Sequence, residues 1–535
     1  MPSRTFLAPS LTAMIFTVIS AYVLITGHPH EDAYILHIYS ENLARFGEIT
    51  YFEGGPAAEG ATDFLWMLAL AGLAALGIPA AWGGVVLNAA GLWLLAHILC
   101  QEAARRGAAA WVPLGLVLFL PAYSIAQASV AGFSAGLYAA LIAALMAAIL
   151  NLPSRQLAAV PLLSILIGLV RPDGVIIGVV ATLACLPLIA REDRRRYFMS
   201  MAVALGIGLA YFIWRMSYFG ALLPLPLYVK SASDQALAGL ADNLRWVKVN
   251  VLLLGLTCWA LYRAPAIRRR FIIASLGPIA LFLALTFATQ SQNIAMRFQA
   301  PMSVVVLMGA MVCLSGFSRR AGPWPAILIT ALAVVHLAYH APRAMRLVGV
   351  LTNHDYINSF PYHLRSAVPA TARIALTEAG RLAYWLEGET YDLVGLNTAE
   401  TAKNGATAGY ISARDPDLIF WHVAGTITPG CPNDLDHCRL SGSDLISTVE
   451  AADLPPVHEI FDRVARAPVA VYDHIRQNPN RYDLVAARYG AGWSHLYAIK
   501  RGGQIDLGAF EAALSRSFEQ VGFRSYAQMR AAALQ

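Results

Sequence analysis

Glu31 and Asp32 are adjacent carboxylates that follow a long apolar run, Leu11 to Thr26, by only a few residues. Acids at the mouth of a membrane helix are costly to desolvate, which makes the pair a candidate for proton transfer or cation binding. They lie near the start of the first polar stretch, HPHEDAYILHIYSENLARFGEITYFEGGPAAEGATDFLW, from His28 to Trp66. Glu31, Asp32, Glu41, Glu48, Glu53, Glu59 and Asp63 stand there against one strong base, Arg45. The plain alternative is that these acids mark a translocated loop, with Trp66 in an interfacial belt. His28, His30 and His37 offer ligands for a divalent cation, Mg or Mn, although a His-X-His at a membrane interface is more often merely solvated.

Opposite charge comes later in the chain. Arg215 in WRMSYFG, Lys230 closing LLPLPLYVK and Arg297 in RFQAP are cations near the ends of apolar runs. They would neutralise an anionic head group; snorkelling and loop anchoring to lipid phosphates are the ordinary alternatives. Arg171 and Asp173 flank the Pro-Gly break of RPDG; a local ion pair that stabilises a helix break is the modest explanation, and substrate binding by Arg171 the other.

The elements that must position these groups are membrane helices. Of 535 residues, 57% are hydrophobic and 13% charged, and the mean hydropathy is +0.54; soluble chains carry about 25% charge. The net charge of +6 does not point to nucleic acid, because the bases fall in short clusters between apolar runs, as the positive-inside rule expects. After Leu11–Thr26, read as a retained span with a cytoplasmic N-terminus, eleven apolar runs follow. They are Phe64–Leu76, Val85–Leu99, Trp111–Leu120, Ala131–Leu150, Leu157–Val170, Val175–Ala190, Met201–Phe219, Val249–Leu261, Phe271–Ala288, Phe298–Phe317 and Ala326–Ala338. A span takes about 20 residues.

REDRRR, RAPAIRRR and Arg319-Arg320 read as cytoplasmic and alternate with external loops at Leu222–Asn243 and Thr289–Arg297. An external tail then requires an odd number of spans, about eleven. The suspects for not crossing are Trp111–Leu120 and the pair around RPDG.

The expected organisation is a membrane core, 1–342, with an acidic first external loop, 28–63, and an extracytoplasmic soluble domain, 343–535. In the tail, the short apolar or alternating segments Ala372–Gly380, Pro416–Val423, Ala467–Ile475 and Ser494–Arg501 suggest an α/β or α+β domain. Asp506–Ala533 has helical periodicity through Phe510, Leu514 and Phe518. Cys431 and Cys438, together in the polar CPNDLDHC outside the cytoplasm, are disulfide candidates. The other four cysteines lie in or beside apolar runs, as small hydrophobes. Tyr384, Trp385 and Trp421 offer sugar-stacking faces, with core packing the more ordinary fate. Gly380 and Gly395 suit turns.

Taken in order, EDAYILHIYSENLARFGEITYF, EGATDFLW, RPDG, RMSYFGALLPLPLYVK, RFQAP and EAGRLAYWLEGETYDLVGLNTAETA resemble the GT-C superfamily of polyprenyl-phosphate-sugar glycosyltransferases. The set is most similar to the mycobacterial terminal arabinofuranosyltransferase group and its bacterial relatives, from about His28 to Ala402. The resemblance implies a GT-C-like multi-spanning core in a bacterial cytoplasmic membrane, a lipid-linked sugar donor, a glycan or glycoconjugate acceptor and an external carbohydrate-binding-like tail. It implies Asp32 as general base with Glu31 sharing or orienting, Lys230, Arg297, Arg215 and Tyr228 at the donor phosphate, and Glu59, Asp63 and Arg171 at substrate.

This chain departs from the family at three places. Glu31-Asp32 stands for two aspartates, Asp63 for an Asn, and Leu225-Pro226 for the Asn-Thr of an LPNT pattern. Donor head-group or acceptor specificity is open at those positions.

Glycosyl transfer needs a base for the acceptor hydroxyl, stabilisation of an oxocarbenium-like centre and neutralisation of the departing phosphate. The rival class is a transporter or flippase of polyprenyl-linked sugars, which more often shows internal repeats and broken helices near the bilayer midplane. No internal repeat is visible, and the acids cluster at one face. A sugar-binding scaffold without activity would tolerate loss of Glu31 and Asp32.

Overall fold

The computed structural model describes residues 4–107, 115–116, 119–230, 237–290, 292–317, 324–424, 431, 435–451, 455–460, 462–488, 493–519 and 524–533. Arg319-Arg320 and most of the Trp111–Leu120 run lie outside them. The core helices are α1 (Arg4–Thr26), α2 (Ala33–Phe46), α3 (Phe64–Ala75), α4 (Ala80–Arg105), α5 (Ser124–Val130), α6 (Ala135–Asn151) and α7 (Ala159–Val170). There follow α8 (Gly174–Ala184), α9 (Arg194–Phe219), α10 (Leu225–Lys230), α11 (Leu240–Arg263), α12 (Pro265–Leu285), α13 (Ala300–Phe317) and α14 (Trp324–Leu351).

Among the described residues, five helices are long and apolar enough to cross a membrane: Phe6–Thr26, Ala80–Arg105, Arg191–Phe219, Leu240–Arg263 and Ile294–Cys313. Shorter apolar helices run beside them, including the hairpin of α7 and α8 around RPDG, each arm below the about 20 residues of a straight span. With no hydrophobic drive between helices inside lipid, close approach at small residues holds such cores together. Gly91 on α4 is one such place: a Cβ there would lie 2.4 Å from the backbone nitrogen of Leu137 on α6.

One end of the bundle is basic. Arg270 donates to the carbonyls at the end of α6, reaching Leu152 O at 2.8 Å, and Arg269 donates to Pro187 O. Arg105 and Arg106 close on Glu102 at the same end of α4. The acidic first loop lies at the opposite end. It is no floppy connection: α2 buries Ala33 to Glu41, and Trp66, expected in an interfacial belt, is buried against α4.

α14 runs unbroken through the expected boundary at 342 to Leu351. The tail adds α15 (Tyr356–Arg365), α16 (Arg381–Leu386), α17 (Ala399–Asn404), α18 (Ala408–Arg414), α19 (Gly442–Ala451), α20 (Arg463–Gln477), α21 (Leu507–Phe518) and α22 (Tyr526–Ala533). Its strands are β1 (Arg373–Leu376), β2 (Glu389–Asp392), β3 (Leu418–Ala424), β4 (His437–Leu440), β5 (Tyr482–Arg488) and β6 (Trp493–Lys500). They form one mixed sheet in the order β2-β1-β3-β6-β5-β4, parallel on both sides of β1 and antiparallel from β3 onward.

Alternation along the strands sends Ile374, Leu376, Leu418, Phe420 and Tyr497 into a cluster shared with Tyr34, Tyr39 and Trp66 of the core. The opposite face, with Ala375, Ile419, Trp421 and Leu496, packs on α18 and α20. The sheet is therefore fused to the first loop by a common hydrophobic core. The chain end returns to it as well: Tyr526 N donates to Gly27 O at 2.8 Å, and Arg530 pairs with Glu41 at 2.9 Å.

One segment differs from expectation. Ala467–Ile475 lies in a helix, α20, because Ala467, Ala470, Val471 and Ile475 repeat at helical spacing and Asp462 caps the start by accepting from Val464 N and Ala465 N. Tyr384, Trp385 and Trp421 are buried in the core rather than open to sugar. Cys431 and Cys438 are joined by a disulfide.

Candidate active site

A cavity of about 460 Å³ lies between the first loop, the membrane core and the sheet. Its lining includes Glu31, Asp32, Asp63, Arg171, Lys230 and Arg297. These residues, scattered over most of the core sequence, are thus brought to one place.

Asp32 immediately precedes α2, and its carboxylate lies 3.2 Å from Arg297 Nη2 while keeping 22% exposure. Arg297 is carried on a 3₁₀ turn, Ile294–Gln299, and lies 3.7 Å over the Phe133 ring. Gln292, Ala295 and Met296 there hold left-handed φ of 57°, 53° and 57°. That conformation is strained for residues other than glycine and persists only where surroundings impose it. The surroundings are buried amides: Gln299 donates to Asn243 Oδ1 at 2.9 Å and to Gln290 Oε1 at 2.5 Å, and Asn293 donates to Gln299 Oε1 at 2.9 Å.

Lys230 ends α10, with its Nζ 5.0 Å from the Phe298 ring centroid. Burial first, and the Arg297 charge second, lower it to about 8. Among the described residues no carboxylate forms an ion pair with it. Arg171, by contrast, is gripped by both Asp173 oxygens at 3.0–3.1 Å, lies 3.9 Å from Asp63 and covers the Tyr138 ring.

Glu31 does not face the cavity in the way Asp32 does. Its Oε1 accepts from Gly380 N at 2.6 Å and Arg381 N at 3.2 Å, tying the first loop to the tail. A Cβ on Gly380 would lie 2.1 Å from Glu31 O, so only glycine permits this contact. Burial, then the charges of Asp32 and Glu378, push Glu31 up to about 8.

Three expected site residues lie elsewhere. Arg215 Nε donates to Glu59 Oε1 at 2.6 Å and its Nη1 to Leu222 O at 2.8 Å, so a buried pair withdraws both Arg215 and Glu59 from the cavity. Leu225 N donates to Glu59 O, so this pair fastens the start of α10 instead. The Tyr228 hydroxyl accepts from Leu223 N at 3.4 Å, and its ring packs beside the cluster on the far face of the sheet.

The three first-loop histidines, His28, His30 and His37, do not gather with the acids as a ligand set. His28 is buried between Tyr34 Oη and Arg524 O, His37 packs on Tyr34 and Tyr384, and only His30 lines the cavity. Burial lowers His30 to about 4. Among the described residues no three His, Cys, Asp or Glu side chains have metal-holding geometry, and Arg297 occupies the flank of Asp32 where a cation would bind.

Sequence reasoning missed the tail's share of the lining: Thr377, Glu378, Arg381 and His422. Glu378 and Arg381 lie in the EAGR segment, whose order alone was the signal. Phe133 and Phe298, the faces under the cations, read as ordinary apolar residues.

A family model described as a domain of unknown function, DUF8728, matches residues 357–497. No curated protein matches the sequence. Among solved structures, ArnT from Cupriavidus metallidurans in the apo state superposes with a TM-score of 0.52 at 13% identity, over 77% of this chain and 92% of that one. The same protein bound to undecaprenyl phosphate gives 0.50 at 13%, with the same coverage. The chain therefore has the ArnT fold: a polytopic helical membrane core followed by a sheet-containing C-terminal domain.

Proposed function

We propose that this protein is a GT-C-type membrane glycosyltransferase that moves a sugar, arabinofuranose, from a polyprenyl-phosphate donor to a glycan or glycoconjugate acceptor. The observation that carries the reading is the cavity that sets Asp32 beside Arg297 and Lys230. The shared fold with a protein crystallised with undecaprenyl phosphate supports a polyprenyl-linked donor. The ordered motif set, similar to the arabinofuranosyltransferase group, is the support for the sugar. The site lies at the end of the bundle opposite the basic clusters, which supports an extracytoplasmic reaction at a bacterial inner membrane.

In the reaction, Asp32 takes the proton of the acceptor hydroxyl as its oxygen bonds to the anomeric carbon. The bond from that carbon to the phosphate oxygen breaks, and its electron pair leaves with the polyprenyl phosphate. Lys230 and Arg297 neutralise the charge growing on the leaving oxygen. A phosphate beside Lys230 raises its affinity for the proton and keeps it cationic. Glu31 orients Asp32 by tying the loop to Gly380.

The test is transfer of radiolabelled sugar from synthetic polyprenyl-phospho-arabinofuranose to an oligosaccharide by purified wild type and Asp32→Asn. Transfer by wild type that falls at least about a hundredfold in Asp32→Asn is expected for loss of a general base. Donor movement across vesicles without transfer would establish the flippase instead.

A further inference from the structure

The cavity has two chemically different walls. The membrane core supplies the cations Arg171, Lys230 and Arg297, whereas the sheet supplies Thr377, Glu378 and His422. The Arg381 guanidinium does not break this division, because it is spent on Ile357 O, Asn358 Oδ1 and Pro29 O.

The sheet wall follows from topology. β1 pairs in parallel with β2 on one side and β3 on the other, so the chain leaves β1 in one direction and later returns on the opposite flank. Crevices outside the carboxyl ends of strands at such a reversal are where open α/β sheets hold ligands. Thr377 and Glu378 directly follow β1, and His422 lies near the end of β3.

His422 also stands opposite His495 across the antiparallel β3–β6 pair, and directly paired residues project from the same face. Both imidazoles consequently meet Glu378, at 3.4 Å from His422 Nδ1 and 3.5 Å from His495 Nε2. Behind them, His495 Nδ1 is 3.0 Å from Tyr356 Oη, which lies 2.5 Å from Tyr497 Oη. This chain of partners fixes the ring that holds Glu378. Yet Glu378 and His422, which line the cavity, keep 23% and 28% of their side-chain surface exposed.

We infer that Glu378 and His422, with Thr377, form a hydroxyl-recognising subsite on the tail that holds the neutral acceptor sugar against Asp32. The chemistry of this wall suits hydroxyls and not phosphate: the carboxylate accepts from sugar O–H groups, the imidazole offers one donor and one acceptor, and a carboxylate repels an anion. The inference rests on the transferase reading, and it makes the tail part of the reaction site instead of a separate sugar-binding appendage.

The experiment uses the full chain in detergent. The acceptor KM, the donor KM and binding of undecaprenyl phosphate are measured for wild type, Glu378→Gln and His422→Asn, alongside saturation-transfer NMR contacts to an arabinofuranosyl oligosaccharide. The expected result is an acceptor KM raised about tenfold or more in each variant, with donor KM and undecaprenyl-phosphate binding within twofold of wild type. Oligosaccharide contacts should weaken in parallel. An unchanged acceptor KM, or donor binding lost with acceptor binding intact, would overturn the subsite. If wild type transfers nothing yet contacts the oligosaccharide in a Glu378-dependent way, the transfer reading fails and the subsite stands; if neither contact nor transfer is seen, both fail. Should Glu378→Gln not fold, His422→Asn and Thr377→Val carry the same readouts.

Discussion

Two neighbouring carboxylates have been given different work by their surroundings. Asp32 keeps access to the cavity beside Arg297, whereas Glu31 is buried against the Gly380 and Arg381 amides. Because Glu31 is raised to about 8 from an ordinary 4.5, the folded protein holds a proton that the unfolded chain releases between those values. Its contribution to stability is therefore present at low pH and lost as pH rises from about 4.5 through about 8. His28 and His30, lowered by burial to about 3 and about 4, act in the opposite sense below pH 6.5. The wild type minus Glu31→Gln difference isolates the carboxyl. Thermal melts from pH 5 to pH 8.5 should show wild type losing stability relative to Glu31→Gln as pH rises; parallel curves would contradict a buried proton on Glu31.

At the scale of elements, the turn that carries Arg297 is held in a strained backbone by the amides of Asn243, Gln290, Asn293 and Gln299. Gln299→Leu keeps the volume roughly but leaves three buried amides short of partners, which costs about 1–3 kcal/mol. A fall in melting temperature together with weaker undecaprenyl-phosphate binding is expected; unchanged donor binding would mean that the turn does not position Arg297.

β1, β3 and β6 are legible in the sequence because each is a short alternating or apolar segment bounded by turn-formers. Ala467–Ile475 reads as a strand-like segment because APVAVYDHI alternates over its short middle; the 3.6 period shows only once the flanks Arg463–Gln477 are included. Arg215 read as a free cation because its partner, Glu59, is 156 residues away and only packing reveals it. Glu378 lies in the EAGR segment, but a lone acid after a strand carries no pattern that marks a site; the fold sets it 3.4 Å from His422 and in the cavity that Asp32 also lines.

The first loop, the membrane core and the sheet close around the cavity of about 460 Å³. The first loop, the sheet and the returning α22 share a hydrophobic core, which holds the cationic wall of the membrane half against the Thr377, Glu378 and His422 wall of the tail. The Asp32–Arg297 pair and the Glu31–Gly380 tie are the polar fasteners of that arrangement. In the proposed reaction a polyprenyl phosphate enters with its phosphate against Lys230, a cation that no described carboxylate pairs. The most direct measurement is binding of undecaprenyl phosphate to the purified protein and to Lys230→Met, followed by phosphorus NMR or calorimetry. An affinity at least about tenfold weaker is expected in Lys230→Met, as for loss of one charge-assisted contact of roughly 1.5–3 kcal/mol. Equal affinity in the two proteins, with Lys230→Met folded, would contradict it.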